Sequence, residues 1–390
     1  MTHSTHPLAR GRLTALVLAC TALSAGSALA QEIVKIGYSG PLSGGAAQYG
    51  KNVLDGALMA VNEVNASNPE VGGKKVKFEV VALDDKYNPS ETAINAQRLV
   101  QQHKTAAILV PHSGGIFALQ TTNEAQKYVV LAYSSVPQIT NRGNKLTLRI
   151  PPEFTTYIKP FSSYLMERFG KKIALVGADH DYAKAWVAAL KPAWEAAGGT
   201  VVAENPMSYN RATDFYSGVS KALAAKPDVL FVGGASEPTA LVVKQARELG
   251  FKGGFLVMDQ AKLDEMSKVI GGYGMLEGAI GVLPVVEDPA AGMKAFTERF
   301  RQVYPNRDPG SEVVWNYTAV HATLAAMKLA GTTSDAAAIH ANLDKGYKSL
   351  SATHNPGGVL NLDANGGTLT VERGGAVENG KVKIILSGKK

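Results

Sequence analysis

The stretch Gly44-Gly45-Ala46-Ala47-Gln48-Tyr49-Gly50-Lys51-Asn52 comes one hydroxyl short of a phosphate-binding loop. Such a loop needs glycines so that backbone N–H groups can surround the phosphates, a lysine for the terminal phosphates, and a Ser or Thr hydroxyl on magnesium. Gly45, four spacers, Gly50 and Lys51 supply the first parts, and Asn52 stands where the hydroxyl belongs. A strand-like run, IVKIGYS at 33–39, precedes the loop, and VVALD at 80–84 reads as an apolar strand ending in a metal-binding aspartate. The pattern leaves open whether the loop serves a nucleotide phosphate or another anion.

No other group of residues makes a recognisable catalytic centre. The chain has no Gly-x-Ser-x-Gly elbow and no His-Glu-x-x-His zinc motif, and its single cysteine is Cys20. His103, His112, His180, His321, His340 and His354 lie far apart without metal-ligand spacing, so neither a metal nor a cofactor is expected. His112 stands apart because it adjoins Ser113 in a predicted site loop. Asp84-Asp85 reads better as the end of a strand and the beginning of a turn before Asn88-Pro89 than as a catalytic pair. These readings favour a protein that is not an enzyme.

Stepwise alternation of elements must position any site. Apolar runs at 33–39, 76–83, 106–110, 128–133 and 146–150 alternate with helical patterns at 48–66, 89–103, 114–127 and 137–142. In the first helix Tyr49, Val53, Ala57 and Val61 form one buried stripe. Asn88, Pro89 and Glu91 mark the next helix start, the last as part of a capping box. After Pro151-Pro152 the alternation resumes, with strands at 171–176, 199–204, 228–232, 253–258 and 278–283 and helices at 153–169, 182–197, 212–225, 236–249 and 260–270. Helical patterns at 289–303, 311–330 and 333–344 follow, and Gly/Asn turns with short apolar segments after about 356 predict hairpins. The fold class is therefore α/β, two doubly wound lobes with mainly parallel sheets.

In such sheets ligands sit beyond the carboxyl ends of the strands, against helix N-termini. That rule selects the loops Gly40–Tyr49, Pro111–Gly115, Ser134-Ser135, Asp179–Tyr182, Gly233–Glu237 and Asp259-Gln260. The serines among them suit a carboxylate, and equally well cap helices.

The first thirty residues carry Arg10 and Arg12, an apolar stretch from Leu13, and small residues up to Ala30, which is the pattern of a secretory signal cut before Gln31. Lipidation at Cys20 is the less favoured alternative, since only about seven apolar residues would precede it. Loss of Arg10 and Arg12 takes the formal charge from +7 to +5. The basic residues are interspersed with acids, which disfavours nucleic acid as a partner. No later apolar run approaches the length of a membrane span.

Three segments carry a family resemblance: KIGYSGPLSGGAAQYGKNVLDGALMAVNEVNA from Lys35, LDDKYNPSETAINAQRLV from Leu83, and ALVGADHDYAKAW from Ala174. Together they resemble the periplasmic substrate-binding proteins of branched-chain amino acid (leucine, isoleucine, valine) ABC transporters, which have the type I periplasmic binding fold. The resemblance runs from about residue 33 to about 345. It implies a three-strand hinge crossed near 150–153, 281–285 and 350–357, an N-terminal lobe of 31–150 plus 284–352, and a C-terminal lobe of 151–283 plus 353–390. It further implies a monomeric, periplasmic protein that takes an amino acid or related small carboxylate between its lobes and delivers it to a membrane permease. Residue by residue, Tyr49 would pack on the solute, Ser113 would bind its carboxylate, Ser135 would hold both carboxylate and ammonium with Ser134 as a further ligand-binding residue, and Tyr133 would face the same cleft. Tyr182 would close over it, and Asp259 would pair with an ammonium. Lys51 would then hold no phosphate. Ala235 stands where an aromatic ring is common, and Asp259 is a methylene shorter than the usual glutamate. Tyr133, Tyr49 and Phe117 could therefore line a pocket for a flatter solute, such as an aromatic carboxylate or an amide. A sensory receptor using the same clamp, and an exported hydrolase or nucleotide-binding enzyme, are the rival readings.

Overall fold

The computed structural model describes residues 1–3 and 31–387. The expected signal segment beyond residue 3, with Cys20, lies outside the described residues. Six strands form the first sheet: β1 (Glu32–Gly40), β2 (Glu70–Val71), β3 (Lys74–Asp84), β4 (Ala107–Val110), β5 (Val129–Ala132) and β6 (Thr147–Arg149). Their order is β2-β3-β1-β4-β5-β6, with every pair parallel except β2–β3. The second sheet holds β7 (Lys172–Leu175), β8 (Thr200–Glu204), β9 (Val229–Val232), β10 (Gly254–Val257) and β11 (Ala279–Val282). After the short pair β12 (Asn361–Leu362) and β13 (Thr368–Leu369), the antiparallel strands β14 (Arg373–Glu378) and β15 (Lys381–Ser387) complete that sheet, in the order β15-β14-β11-β10-β9-β7-β8. The expected fold class, two doubly wound lobes with mainly parallel sheets, is what the chain adopts.

The strands are buried on both faces where helices cover them. All four residues of β4, β5, β9 and β10 are inaccessible, the continuous apolar run that parallel sheets require. The helix Ala47–Ala66 buries the predicted stripe Tyr49, Val53, Ala57 and Val61. It lies against the helix Ser311–Ala330, which returns to the first lobe from the second. A β-carbon on Gly56 would collide with the Val313 carbonyl, so the close helix approach depends on that glycine.

Differences from the expected elements have local causes. The helix expected over 114–127 breaks into Ser113–Gln120 and Asn123–Gln126. Thr121 and Thr122 turn their hydroxyls back onto the Ala118 and Leu119 carbonyls at the break, which competes with helical bonding. Asn88 caps the helix Pro89–Gln101 through Ser90 N at 2.9 Å. The Asn88 N–H goes to the Asp85 carbonyl at 2.8 Å, so the capping-box partner Glu91 is left exposed.

The chain leaves the first lobe after β6, and its helices return to that lobe after β11. The hairpin β12–β13 stays with the first sheet: Arg149 N donates to the Gly366 carbonyl at 3.0 Å, and Thr368 Oγ1 to the Ile150 carbonyl at 2.6 Å. The last passage between sheets therefore lies at 370–372, later than the 350–357 that the resemblance implied. The buried Arg149 side chain, 3.2 Å from Asp363, adds an ion pair to these bonds.

Candidate functional site

The strand ends and helix starts of the two sheets face each other across a cleft. Tyr49, in the first turn of Ala47–Ala66, donates its hydroxyl to the Pro111 carbonyl at 2.8 Å, just beyond β4. His112 follows and caps the helix Ser113–Gln120, its Nδ1 accepting from Gly115 N at 3.0 Å. That leaves the Nε2 proton to be donated to Asp85 Oδ2, 3.0 Å away and fully buried. Asp85 also accepts from Ser39 and Thr92 hydroxyls, at 3.0 and 2.9 Å. His112 is thus a fixed part of the wall, with Asp85 setting its tautomer. Ser113 and Ser134, from the ends of β4 and β5, place their hydroxyls 2.8 Å apart. The rings of Tyr49 and Tyr133 sit 6.1 Å apart.

The second lobe contributes one acid and two aromatic donors. Asp259, at the end of β10, accepts from Trp186 Nε1 at 2.9 Å and from the Tyr182 hydroxyl, and from Ser135 Oγ of the first lobe at 2.8 Å. Burial, and for Tyr182 the adjacent Asp259, holds the phenols of Tyr49, Tyr133 and Tyr182 well above their ordinary pKa, so they act as neutral donors. All seven residues singled out from the sequence, Tyr49, Ser113, Tyr133, Ser134, Ser135, Tyr182 and Asp259, line this one cavity. Its volume is about 20 Å³, the scale of one water molecule, so an amino acid enters only when the lobes part.

Several residues escaped the sequence reading. Tyr87 lines the cavity from a turn in which Lys86 and Tyr87 both have positive φ, 53° and 61°. Two such residues in succession cost on the order of 1–3 kcal/mol each, and they lay the Tyr87 ring on His112, 4.6 Å between centroids. The Tyr87 hydroxyl accepts from Gln260 across the cleft at 3.0 Å. A turn between Asp84-Asp85 and Asn88-Pro89 was expected; its two successive left-handed residues, which aim Tyr87 into the cavity, were not. Trp186 was legible, since it lies four residues after Tyr182 on the same helix face. Phe117 is not among the cavity residues; Arg142 stacks over its ring at 3.9 Å. Ala235 lines an adjoining part of the cleft with Tyr49 and Asn52, so the space left by the missing ring opens outside the inner cavity.

The loop that resembled a phosphate cradle has other tasks. A β-carbon on Gly50 would collide with the Pro41 carbonyl, and Lys51 is exposed. Asn52 carries the second polar layer between the lobes. Its amide nitrogen donates one hydrogen to Glu312 of the first lobe at 2.9 Å and the other to Glu265 of the second at 2.6 Å. Lys262 Nζ approaches the fully buried Glu312 at 3.5 Å and donates to the Asp259 and Gln260 carbonyls at 2.7 and 2.9 Å. Burial, then the charges of Glu312 and Asp264, pushes the Glu265 carboxyl up to about 8.

The histidines that sequence spacing separates do not all stay apart. His321 and His354 stack at 4.3 Å beside Glu63, away from the cleft.

A bilobal α/β clamp with one acid, serine hydroxyls and a helix start converging between its lobes defines a solute-binding protein. The sequence matches the periplasmic binding protein family over residues 33–371, and the chain belongs to that family. It is 27% identical over 327 residues to an amino acid binding protein of Pseudomonas aeruginosa, covering 83% of this chain and 86% of that one. It is 26% identical over 343 residues to the leucine-, isoleucine-, valine-, threonine- and alanine-binding protein of the same organism, covering 87% and 88%. Among solved structures, the branched-chain amino acid transporter substrate-binding protein LivJ of Streptococcus pneumoniae, in complex with isoleucine, superposes with a TM-score of 0.75 at 25% identity, covering 90% of this chain and 98% of that one.

Proposed function

We propose that this protein captures an amino acid between its lobes in the periplasm, after cleavage of its signal before Gln31, and delivers it as a monomer to the permease of an ABC importer. The observation that carries the reading is the arrangement around Asp259. Its carboxylate is held by three neutral donors, and among the described residues no lysine or arginine lines the cavity, so its charge is open to a ligand ammonium. Opposite it, the Ser113 and Ser134 hydroxyls and the start of the helix Ser113–Gln120 supply donors for a carboxylate. An α-amino acid carries both charges on one carbon. Its aliphatic side chain would meet the rings of Tyr49 and Tyr133. The relatives named for leucine, isoleucine and valine support the same class of ligand.

Ligand contacts with both lobes favour the closed state, which is the state a transporter can distinguish from the open one. Thermal unfolding of ligand-stripped protein against aliphatic amino acids, amides and aromatic carboxylates tests the reading. A ligand at a thousand times its Kd adds about 4 kcal/mol, a shift on the order of 10 °C. Stabilisation only by compounds without an amine would remove Asp259 from its role and favour the aromatic carboxylate or amide.

A further inference from the structure

Glu63, His321 and His354 come from three separate parts of the first lobe: the helix Ala47–Ala66, the helix Ser311–Ala330, and the segment that follows the helix Leu343–Lys348. Neither polar layer of the cleft uses them. His321 Nε2 lies 3.3 Å and His354 Nε2 3.7 Å from the same oxygen, Glu63 Oε2. The two imidazoles are stacked, 14° between planes, so their Nε2 edges run side by side toward the Glu63 carboxylate, and one donor atom from each of the three residues falls within 4.8 Å of the others. In a tetrahedral zinc site, bonds of about 2.0–2.2 Å separate the ligand atoms by roughly 3.3 Å. To share a metal the two rings turn out of their stack toward each other, a movement the exposed edge of His354 leaves room for.

A simple hydrogen-bonded pair does not account for the arrangement. The Tyr317 hydroxyl already donates to Glu63 Oε2, and Arg299 donates to Oε1 at 3.0 Å. His321 adds one more hydrogen bond to Oε2 at 3.3 Å, whereas His354 Nε2, 3.7 Å away, is too far for one, so hydrogen bonding leaves the second imidazole unaccounted for. The two imidazoles do match a ligand set whose carboxylate is oriented by outer partners. Arg299 is itself fixed by the Tyr317 hydroxyl at 3.1 Å and the Thr353 carbonyl at 2.8 Å, next to His354. Its charge leaves Oε2 as the metal-facing oxygen and makes the site weaker than a closed structural one. The His354 side chain is 40% exposed. Glu63, His321 and His354 also border a surface groove with Ser67, Glu70 and Ser349, so a fourth coordination position faces solvent.

We propose that Glu63, His321 and His354 form a second binding site, for a transition-metal dication such as Zn²⁺, separate from the solute cavity. Two imidazoles and one carboxylate oxygen suit zinc, nickel or copper and disfavour magnesium and calcium, which prefer all-oxygen sets. Bound metal would tie the segment around His354 to the two long helices of the first lobe.

The test is calorimetric titration of the chelator-treated protein with Zn²⁺ and, separately, Mg²⁺. One Zn²⁺ per chain with a Kd of about 1–10 μM and no heat from Mg²⁺ is expected. His354→Gln and His321→Gln should each weaken Zn²⁺ by about tenfold or more. His354 is half-exposed, so its variant can be checked for an intact fold through an unchanged solute-induced thermal shift, even if the variant at the buried His321 unfolds. Absence of zinc binding below about 100 μM, or zinc affinity unchanged in His354→Gln, overturns the proposal. Because the solute shift is read in the same samples, failure here is distinct from failure of the amino acid reading.

Discussion

Asp259 and Glu265 lie six positions apart on the second lobe, both meet the first lobe, and both are acids in a poorly hydrated cleft, yet their surroundings differ in kind. Asp259 faces three neutral donors, Ser135, Tyr182 and Trp186, in an aromatic cavity. Glu265 shares one amide nitrogen with Glu312 and accepts from the Ser236 hydroxyl of its own lobe, and Lys262 directs two of its hydrogens to backbone carbonyls. Neutral donors hold the first carboxylate without cancelling its charge, so a cationic ligand gains an ion pair that no lysine or arginine lining the cavity makes among the described residues. Around Glu265 negative charge is in excess, and burial answers it by raising a pKa. The same closure therefore assembles a recognition site in one place and a ligand-independent latch in the other. Lys262 joins them, since it grips the carbonyls of Asp259 and Gln260 while its charge faces Glu312.

The largest expected effect separates the two. Asp259→Asn should keep the three neighbouring groups near the carbonyl oxygen while removing the charge. Truncating one partner of a desolvated charge pair costs about 2–5 kcal/mol. Amino acid affinity by calorimetry should fall roughly thirtyfold or more, with the unliganded melting temperature little changed. Unchanged affinity would place the ammonium elsewhere and dissolve the contrast.

An intermediate effect is expected at Asn52. Asn52→Ala takes a donor from Glu265 and from Glu312 at once, and each buried acceptor left unpaired costs about 1–3 kcal/mol. In the open state water satisfies both acids, so the loss should appear mainly as weaker closure. Calorimetry should show affinity reduced by a similar factor for every ligand, with or without an amine. A loss confined to amine-bearing ligands would make Asn52 part of the recognition site.

The two layers were not equally legible in the sequence. The cavity residues sit at strand ends, where topology alone predicts ligands, and the order of apolar runs gave away that topology. Asp259 could be found because it follows the run GFLVM, which is strand β10 extended by Met258. The latch joins Asn52, Glu265 and Glu312, residues more than two hundred and forty positions apart at the extremes, through the return of Ser311–Ala330 to the first lobe. No period or spacing encodes such a contact. The loop around Asn52 was not informative by itself: its near match to a nucleotide cradle left the ligand open, and only the family resemblance set the phosphate aside. The late passage at 370–372 was hidden for a similar reason, because it depends on Arg149 meeting a hairpin two hundred residues away.

The smallest effect is the pH dependence of closure. Glu265 has a carboxyl pushed up to about 8 in the closed protein, by burial first and by Glu312 and Asp264 next; opened to water it titrates near 4.3. Between those values the closed state binds the extra proton, so closure is favoured most below the lower value and loses that contribution as pH rises through about 8. Asp264, raised to about 6, acts in the same direction over a lower range. His180, lowered to about 4 by burial, opposes closure only on acidification below its ordinary range. From pH 7 to 8.5 the amino acid itself keeps its carboxylate and most of its ammonium, so the protein's own proton dominates. Affinity should fall by up to about eightfold across that interval, and Glu265→Gln should flatten the profile while leaving Asp259 chemistry intact. A wild-type profile that is flat from pH 7 to 8.5 would mean that Glu265 is ionised in the closed state, with Asn52 and Lys262 sufficing to hold both acids.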